Sequence, residues 1–223
     1  STGGLRSQFD GAQDYDLVLR VSEVAQRIHH IPKVLYHWRV LPSSIASGIE
    51  AKPYASDAVR LLKEDALKRR GLSGIVEPVD GMPGQFRINY LPHNEALISI
   101  IIPTRDNVGI LRQCLESILE HTRYDNYEIL LVDNESADDA ALAYYESVKA
   151  HTRIRLLRYP HPFNYSAINN FAAGQAQGEY LLFLNDDTQV ESADWLERML
   201  GFAQQTHAGA VGAKLLFPAT RRI

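Results

Sequence analysis

Three short polar clusters in the second half of the sequence each follow an apolar run. They lie at residues 103–106 (Pro-Thr-Arg-Asp), 133–136 (Asp-Asn-Glu-Ser) and 185–188 (Asn-Asp-Asp-Thr). One carboxylate of such a set can hydrogen-bond a base or a ribose, while another holds a hard divalent cation on a diphosphate. Asp, Asn and Ser after a strand are also common turn and N-cap residues, so each cluster alone admits a purely structural interpretation. The coincidence of all three favours a binding site.

The third cluster contains two adjacent acids, Asp186 and Asp187, at the end of an apolar run. Adjacent carboxylates repel each other unless a cation or a hydrogen-bond donor compensates them. Capping a helix or a turn needs only one acid. The pair therefore gives weight to a binding role for Asp187, with a cation or a hydrogen-bond donor as the compensating group.

The elements that must position these clusters alternate between strand-like and helix-like runs from residue 97 onward. This alternation predicts an α/β fold with a mainly parallel sheet and helices on both faces. Ligands of such sheets bind beyond the carboxyl ends of the strands, so the three clusters should share one edge. The predicted strands are 98–102, 128–132, 154–158, 180–184 and 210–216, and the predicted helices are 110–120, 139–150, 166–177 and 193–205.

The residues before 97 are organised differently. Residues 1–50 are predicted to hold a helix at about 14–28 and a strand-like run at 31–36. Residues 51–96 are predicted to hold a helix from about 54 to 70 and a Gly/Pro-punctuated hairpin, and we interpret them as a linker. The helix at 14–28 is predicted from apolar residues at helical spacing, namely Leu17, Val21, Val24 and Ile28.

Composition excludes several classes of protein. A hydrophobic content of 45% is enough to bury a core, and a net charge of -4 without a basic face disfavours nucleic-acid binding. The single cysteine, Cys114, is predicted to be a small buried residue, which fits a reducing cytoplasm. No Gly-x-Gly-x-x-Gly or Walker-type loop is present, which disfavours dinucleotide oxidoreductases and P-loop phosphotransferases. The longest apolar run, 97–103, is too short to cross a bilayer.

Four ordered motifs resemble the family-two inverting glycosyltransferases, and within them bacterial enzymes of O-antigen and rhamnan synthesis. The resemblance covers about 97–223 and implies a GT-A (Rossmann-like) fold. The motifs are residues 99–106 (Ser-Ile-Ile-Ile-Pro-Thr-Arg-Asp), 128–136 (Glu-Ile-Leu-Leu-Val-Asp-Asn-Glu-Ser), 164–170 (Asn-Tyr-Ser-Ala-Ile-Asn-Asn) and 182–188 (Leu-Phe-Leu-Asn-Asp-Asp-Thr).

The resemblance implies roles for residues of the first three motifs. Pro103, Thr104 and Arg105 would line the nucleotide pocket. Asp133 would contact the base, and Asn169 would help to position the donor sugar nucleotide. These assignments predict a nucleotide-diphosphate sugar as the bound substrate.

The fourth motif stands where the family has Asp-x-Asp. Asp187 matches the last, metal-coordinating acid, while Asn185 and Asp186 would contact the nucleotide sugar. Asn185 departs from the commoner leading Asp and brings no charge, although it can still hydrogen-bond a ribose. The site would therefore depend more on Asp187.

The first segment resembles the acceptor-side end of the same family, at residues 3–6, 9–20 and 34–39. Asp14 matches the catalytic base, and His37 matches a histidine that supplies a further metal ligand in some relatives. Two structural alternatives stay open at this point: Asp14 as a helix cap and His37 as a satisfied core histidine.

A whole enzyme of this family has its nucleotide half first and its acceptor half second, and this sequence shows the reverse order. We interpret 1–50 as the end of one transferase domain, 51–96 as a link, and 97–223 as the beginning of a second. The chain, which starts without Met and stops after a predicted strand, is expected to be an excised piece.

The implied reaction is a single displacement, assisted by Mg²⁺ or Mn²⁺ on Asp187, that transfers the sugar, with inversion, to a glycan or lipid-linked glycan acceptor. A cytoplasmic location is expected, with peripheral association at the inner face of the membrane left open. One alternative is a nucleotide-sugar-binding module without turnover. Another is a nucleotidyltransferase, which the lack of a Gly-rich, Lys/Arg-bearing loop after Ile102 disfavours.

Overall fold

A computed structural model of the chain describes residues 2–37, 53–217 and 220. The chain divides into two units, Ser1–Leu91 and Pro92–Ile223, which are described separately as the first and the second unit. No helix within the described ranges combines the length and the apolar character that a bilayer crossing requires.

The first unit contains a short 3-10 turn, two helices and a hairpin. Helix α2 ends before Gly71, whose φ of 64° is the left-handed conformation that closes many helices. The helix and the hairpin predicted within 51–96 are both confirmed. The elements are the turn Ser7–Phe9, α1 (Gln13–Val24), α2 (Pro53–Arg69), and the antiparallel strands β1 (Gly74–Pro78) and β2 (Phe86–Tyr90).

Helix α1 differs from its prediction in both length and orientation. It ends at Val24, since Ala25 is already extended, and Val24 is 67% exposed. Its buried side carries Asp16 and Arg20 instead. These two side chains are one turn apart and form an ion pair, which lets a polar face be buried. The apolar spacing therefore marked the exposed face of the helix.

The run at 31–36 was predicted as a strand, and that prediction is wrong. The segment has no regular secondary structure, and its apolar side chains are exposed. A strand needs a neighbour to receive its backbone hydrogen bonds, and no strand among the described residues pairs with this run.

Helix α2 belongs to the core of the first unit, although its segment was interpreted as a linker. Ala58 and Leu62 pack against Phe9 and Ala12 in one apolar cluster. The turn Ser7–Phe9 and the start of α1 cannot bury these side chains by themselves, so α2 supplies the opposing surface. The assignment of 1–50 and 97–223 to two transferase domains stays a prediction.

The second unit is built on a four-stranded parallel sheet with the order β5-β4-β3-β6. It confirms the predicted α/β alternation. Its strands are β3 (Ile98–Thr104), β4 (Tyr127–Asp133), β5 (Ile154–Arg158) and β6 (Tyr180–Phe183), and its helices are α3 (Val108–His121), α4 (Asp139–Val148), α5 (Tyr165–Ala173) and α6 (Trp195–Ala203).

Alternate residues of β3 and β4 point to opposite faces of the sheet, and both faces are covered. Ile100 packs in one apolar cluster with residues of α3, α4 and α6, whereas Ile101 packs in another with residues of α5. Strands that are buried on both faces read as continuous apolar runs, as residues 100–102 of β3 and 129–132 of β4 do. The predicted helices on both faces are confirmed.

The run at 210–216 was predicted as a further strand, which the structure contradicts. Residues 211–217 have no regular secondary structure, and Leu215, Leu216 and Phe217 are exposed. An apolar run forms a strand only beside a partner strand, and none of the described strands pairs with it.

Candidate functional site

The carboxyl ends of β3, β4 and β6 meet at one edge of the sheet. Thr104 at the end of β3 is in register with Asp133 at the end of β4. The N–H of Leu184, just after β6, donates to the carbonyl of Ile101 at 3.0 Å. The expectation that the three polar clusters share one edge is therefore confirmed.

An open cleft of about 210 Å³ lies at this edge. Residues of all three clusters contribute to it, together with Phe163 from the connection between β5 and α5 and Tyr165, the first residue of α5. Its lining consists of Pro103, Thr104, Arg105, Asn134, Phe163, Tyr165, Asn185, Asp186 and Asp187.

The two adjacent acids of the third cluster have different environments. The hydroxyl of buried Thr104 donates to Oδ2 of Asp186 at 2.8 Å, which compensates one of the two charges. Asp187 is exposed and forms no hydrogen bond or ion pair with the residues that the structure describes. Asp187 is thus the carboxylate of the pair that is open to a ligand.

The loops after β3 and β4 are fixed to each other through Asp106. This residue has a left-handed φ of 59°, and its carboxylate accepts hydrogen bonds from the N–H groups of Ala137 at 2.6 Å and Asp138 at 2.9 Å. The bonds from Asp138 and Ala137 hold the pKa of Asp106 below its usual value. Ser136 Oγ accepts the N–H of Asp106 at 2.9 Å. The strained backbone is therefore held by contacts from the neighbouring loop.

Arg105 places a positive charge in the lining of a cleft that also contains two acids. Its Nε lies 3.6 Å from Oδ2 of Asp106, and the Arg105 side chain is 59% exposed. An exposed guanidinium next to a carboxylate is weakly engaged and can turn toward an anionic ligand. The cleft therefore offers charges of both signs, as a complex of a cation with a diphosphate requires.

Asp133 is buried and is absent from the cleft lining. Its Oδ1 accepts the N–H of Ser136 at 2.9 Å, which closes the turn after β4. It does not cap the following helix, because the N-cap of α4 is Asp138. A contact between Asp133 and a base stays a prediction.

Asn134 lines the cleft and was not singled out from the sequence. Its Nδ2 donates to the carbonyl oxygens of Tyr159 at 3.1 Å and His161 at 2.8 Å, while its buried Oδ1 has no partner in the structure. These bonds attach the connection between β5 and α5 to the end of β4. That connection carries Phe163, which is 64% exposed, and leads into Tyr165 at the start of α5, which is 48% exposed.

The sequence reasoning also missed these two aromatic residues. They flank Asn164, whose side chain caps α5 by accepting the N–H of Ala167 at 2.9 Å. A usable signal was present, since the segment that leads from the carboxyl end of a parallel strand into the next helix lies at the ligand edge of the sheet. Exposed aromatic faces there can stack on a base or a sugar ring.

Asn169, on α5, was predicted to position the donor. It is buried, and its Nδ2 donates to the carbonyl of Tyr165 at 2.7 Å, one turn earlier. Its Oδ1 is buried without a partner in the structure. The side chain is outside the cleft lining, so its role toward a donor stays a prediction.

Asp14 and His37 lie in the first unit. Asp14 is the second residue of α1, exposed, with Oδ1 accepting the N–H of Tyr15 at 2.9 Å. The N-cap of α1 is Ala12, so the capping alternative for Asp14 is wrong. His37 is exposed, which contradicts the alternative of a buried core histidine. Their assignments as catalytic base and metal ligand stay predictions.

The donor set of the cleft fits a hard divalent cation that is shared with a phosphate ligand. No group of three or more His, Cys, Asp or Glu side chains converges within the described residues, so a closed site made of protein ligands alone is absent there. Mg²⁺ is commonly held by one or two carboxylates together with substrate phosphates. Asp187 and the second oxygen of Asp186 supply such a set.

Comparisons with known proteins place this fold and cleft in a family. Residues 99–219 match the sequence model described as Glycosyl transferase family 2. The chain is 44% identical over 222 residues to the protein y4gI of Sinorhizobium fredii, which covers 98% of this chain and 24% of that protein. It is also 44% identical over 217 residues to the O-antigen biosynthesis protein RfbC of Myxococcus xanthus, covering 97% of this chain and 17% of that protein.

The chain thus spans less than a quarter of the length of these two relatives. A solved mannosyltransferase from Pyrobaculum calidifontis, in complex with GDP-Man and Mn²⁺, superimposes with a TM-score of 0.52 at 20% identity. That likeness covers 74% of this chain and 46% of the mannosyltransferase, and it concerns the fold, which is of the Rossmann-like GT-A type. The match over residues 99–219 and the shared fold establish that this chain belongs to glycosyl transferase family 2.

Proposed function

We propose that residues 97–223 are the nucleotide-sugar-binding half of an inverting glycosyltransferase domain. This half would bind a nucleotide-diphosphate sugar, with Mg²⁺ or Mn²⁺ held at Asp187, for transfer of the sugar to a glycan. The observation that carries the proposal is the asymmetry of the acidic pair. Asp186 is compensated by Thr104, while Asp187 stands open in the cleft of a family-two chain.

Different residues of the cleft would contact different parts of the donor sugar nucleotide. Arg105 offers a guanidinium, which suits the phosphates, and Asn185 offers amide groups, which suit the ribose hydroxyls. Phe163 and Tyr165 offer exposed aromatic faces for the base or the sugar. Pro103 and Thr104 form the floor at the end of β3.

The cation, when bound, would neutralise the charge that develops on the departing diphosphate. Asp187 would hold it, with the oxygen of Asp186 that Thr104 leaves free. The hydrogen bond from Thr104 keeps Asp186 oriented along the sheet edge. Replacing Asp187 should therefore affect the cation more than replacing Asp186.

Asp14 would act as the base that removes the proton from the attacking hydroxyl of an acceptor. It is an exposed residue in the first turn of α1, so its carboxylate is accessible to an acceptor. We assign Asp14 and His37 to the acceptor side of a preceding transferase domain.

The family match begins only at residue 99, yet the two relatives align with 98% and 97% of the chain. Both relatives therefore have a counterpart of the first unit in the same order, which supports a tandem arrangement.

The acceptor would be a glycan or a lipid-linked glycan, at the cytoplasmic face of a membrane. Support comes from the Myxococcus xanthus relative, which is named for O-antigen biosynthesis. A panel of nucleotide sugars would identify the sugar and the nucleotide base.

The test is a calorimetric titration of nucleotide sugars with and without Mn²⁺. Asp187→Ala should lower the Mn²⁺-dependent affinity by roughly 10–100-fold and leave the unfolding midpoint unchanged. Asp139→Ala, at an exposed acid in the first turn of α4 outside the cleft, is the matched control and should bind like the wild type. Equal Mn²⁺ dependence in Asp187→Ala would refute the assignment. Binding without transfer or hydrolysis would favour the binding-module alternative for this chain.

A further inference from the structure

One side of helix α3 contacts the segment 185–190, which carries the two acids of the cleft. The contacting residues follow helical spacing, so they form a single stripe along α3. They are Gln113, Cys114, Ser117 and His121.

Ser117 is the central residue of this stripe. It is 9% exposed, and its Oγ accepts the N–H of Val190 at 3.1 Å while donating to the carbonyl of Cys114 at 2.8 Å. Both hydrogen-bonding capacities of the hydroxyl are used. The chain just after the acidic turn is therefore fixed to α3 at a buried point.

The acidic turn itself rests on Cys114. The hydroxyl of Thr188 donates to the carbonyl of Asn185 at 2.8 Å and closes the turn. The thiol of Cys114 lies 3.8 Å from that carbonyl and 3.9 Å from the Thr188 hydroxyl. Burial raises the pKa of the Cys114 thiol to about 11.

Two more contacts hold the segment from the exposed side. Gln189 donates from Nε2 to Oε1 of Gln113 at 2.9 Å. His121 Nδ1 lies 3.3 Å from the carbonyl of Val190. Residues 184–190, after β6, are neither helix nor strand. Side-chain contacts with α3 therefore help to hold this segment in place.

We infer that α3, chiefly through Ser117, is the positioning element of the acidic turn, so that the divalent-cation affinity at Asp187 depends on residues that do not touch the cation. This inference rests on the proposed function. Groups that orient metal-binding side chains influence metal affinity strongly without being ligands. Ser117, Cys114 and Gln113 are positioning residues in this sense.

The experiment measures Mn²⁺ binding by the electron paramagnetic resonance signal of free Mn²⁺, in the presence of UDP, GDP or dTDP. Ser117→Ala should weaken Mn²⁺ binding about tenfold. Metal-free binding of the corresponding nucleoside monophosphate should weaken less than Mn²⁺ binding, because Arg105, Phe163 and Tyr165, which are among its proposed contacts, lie outside the acidic turn. Amide hydrogen exchange at Val190 should become faster, as its acceptor is lost.

Ser147→Ala is a matched control. Ser147 Oγ donates to the carbonyl of Tyr144 at 2.6 Å, the same bond within a helix that Ser117 makes, but in α4. It should change neither Mn²⁺ binding nor exchange at Val190. Gln113→Ala replaces an exposed side chain, so it keeps the test valid if Ser117→Ala does not fold, and it should weaken Mn²⁺ binding about twofold.

The outcomes separate the two proposals. Mn²⁺ affinity that survives in Ser117→Ala but is lost in Asp187→Ala would overturn the inference alone. If Ser117→Ala does not fold, unchanged Mn²⁺ affinity in Gln113→Ala would overturn it in the same way. A wild-type chain that binds no Mn²⁺ with any of the three diphosphates would overturn both the inference and the metal-dependent function. A weakening that also removes metal-free nucleotide binding would show a general structural role and overturn the inference.

Discussion

Helices α1 and α3 are both amphipathic, but they bury opposite kinds of side chain. Helix α3 buries Leu111, Leu115 and Ile118, each 0% exposed, against the parallel sheet. Helix α1 buries Asp16 at 0% and Arg20 at 7%. Apolar spacing therefore marks the buried face of α3, which packs against an apolar sheet, but not that of α1, whose buried face carries an ion pair.

The buried face of α1 is satisfied by a small ionic cluster. Oδ2 of Asp16 accepts from Nε of Arg6 at 3.0 Å and from Nη2 of Arg20 at 2.8 Å. Arg20 also donates to the backbone carbonyls of Thr2 and Gly4, the latter at 2.8 Å. Asp65 of α2 accepts from Arg6 at 2.7 Å. The cluster thus joins the segment before α1, α1 itself and α2.

The largest expected effect tests the apolar side of the comparison. Leu115→Ala should destabilise the protein by about 2–5 kcal/mol, because it leaves a cavity among buried apolar side chains. The loss should be independent of pH, since no charge is involved. Urea unfolding, followed by amide exchange in β4, measures it. Ile110→Ala, at an exposed position of the same helix, should cost less than about 1 kcal/mol; a similar loss in both variants would contradict the assigned buried face.

A slightly smaller loss of stability is expected when the ionic cluster of α1 is disrupted. Asp16→Ala should destabilise the first unit by about 3 kcal/mol, because it leaves the buried guanidinium of Arg20 without its counter-charge. Asp14→Ala removes an exposed acid from the same helix and should change stability by less than about 0.5 kcal/mol. Amide exchange at Leu17 and Leu19 reports on both variants. Equal protection in the two would show that the cluster contributes little.

The smallest effect concerns pH. The hydrogen bond from Arg6, assisted by Arg20, lowers the pKa of Asp16 from 3.8 to about 2. A depressed folded-state pKa stabilises the protein above the unfolded value, and the contribution is lost as pH falls toward the folded value. The wild type should therefore lose on the order of 2 kcal/mol from Asp16 between about pH 5 and pH 2. The unfolding midpoint should depend less on pH in Asp16→Ala than in the wild type. In Leu115→Ala it should be lowered by the same amount at every pH. Equal pH dependence in the wild type and Asp16→Ala would contradict the pKa shift.

Much of the second unit could be predicted from the sequence, because its strands and helices follow from local periodicity. Strands buried on both faces are rich in apolar residues, and the apolar runs of β3 and β4 therefore predict buried strands. The first unit could not be predicted in the same way. Burial of Asp16 depends on Arg6, ten residues earlier, and on Asp65 in another helix, and neither contact leaves a local pattern.

In the candidate site, too, some features could be predicted from the sequence, while others depend on tertiary contacts. By itself, the sequence determined that polar residues end β3 and β4 and follow β6, since each cluster directly follows an apolar run. Only the tertiary structure decided that Thr104 compensates Asp186, 82 residues away, and leaves Asp187 open. It also brought Asn134, Phe163 and Tyr165 into the cleft. The physical reason is the strand order β5-β4-β3-β6, which sets the neighbours at the sheet edge and is absent from any local periodicity.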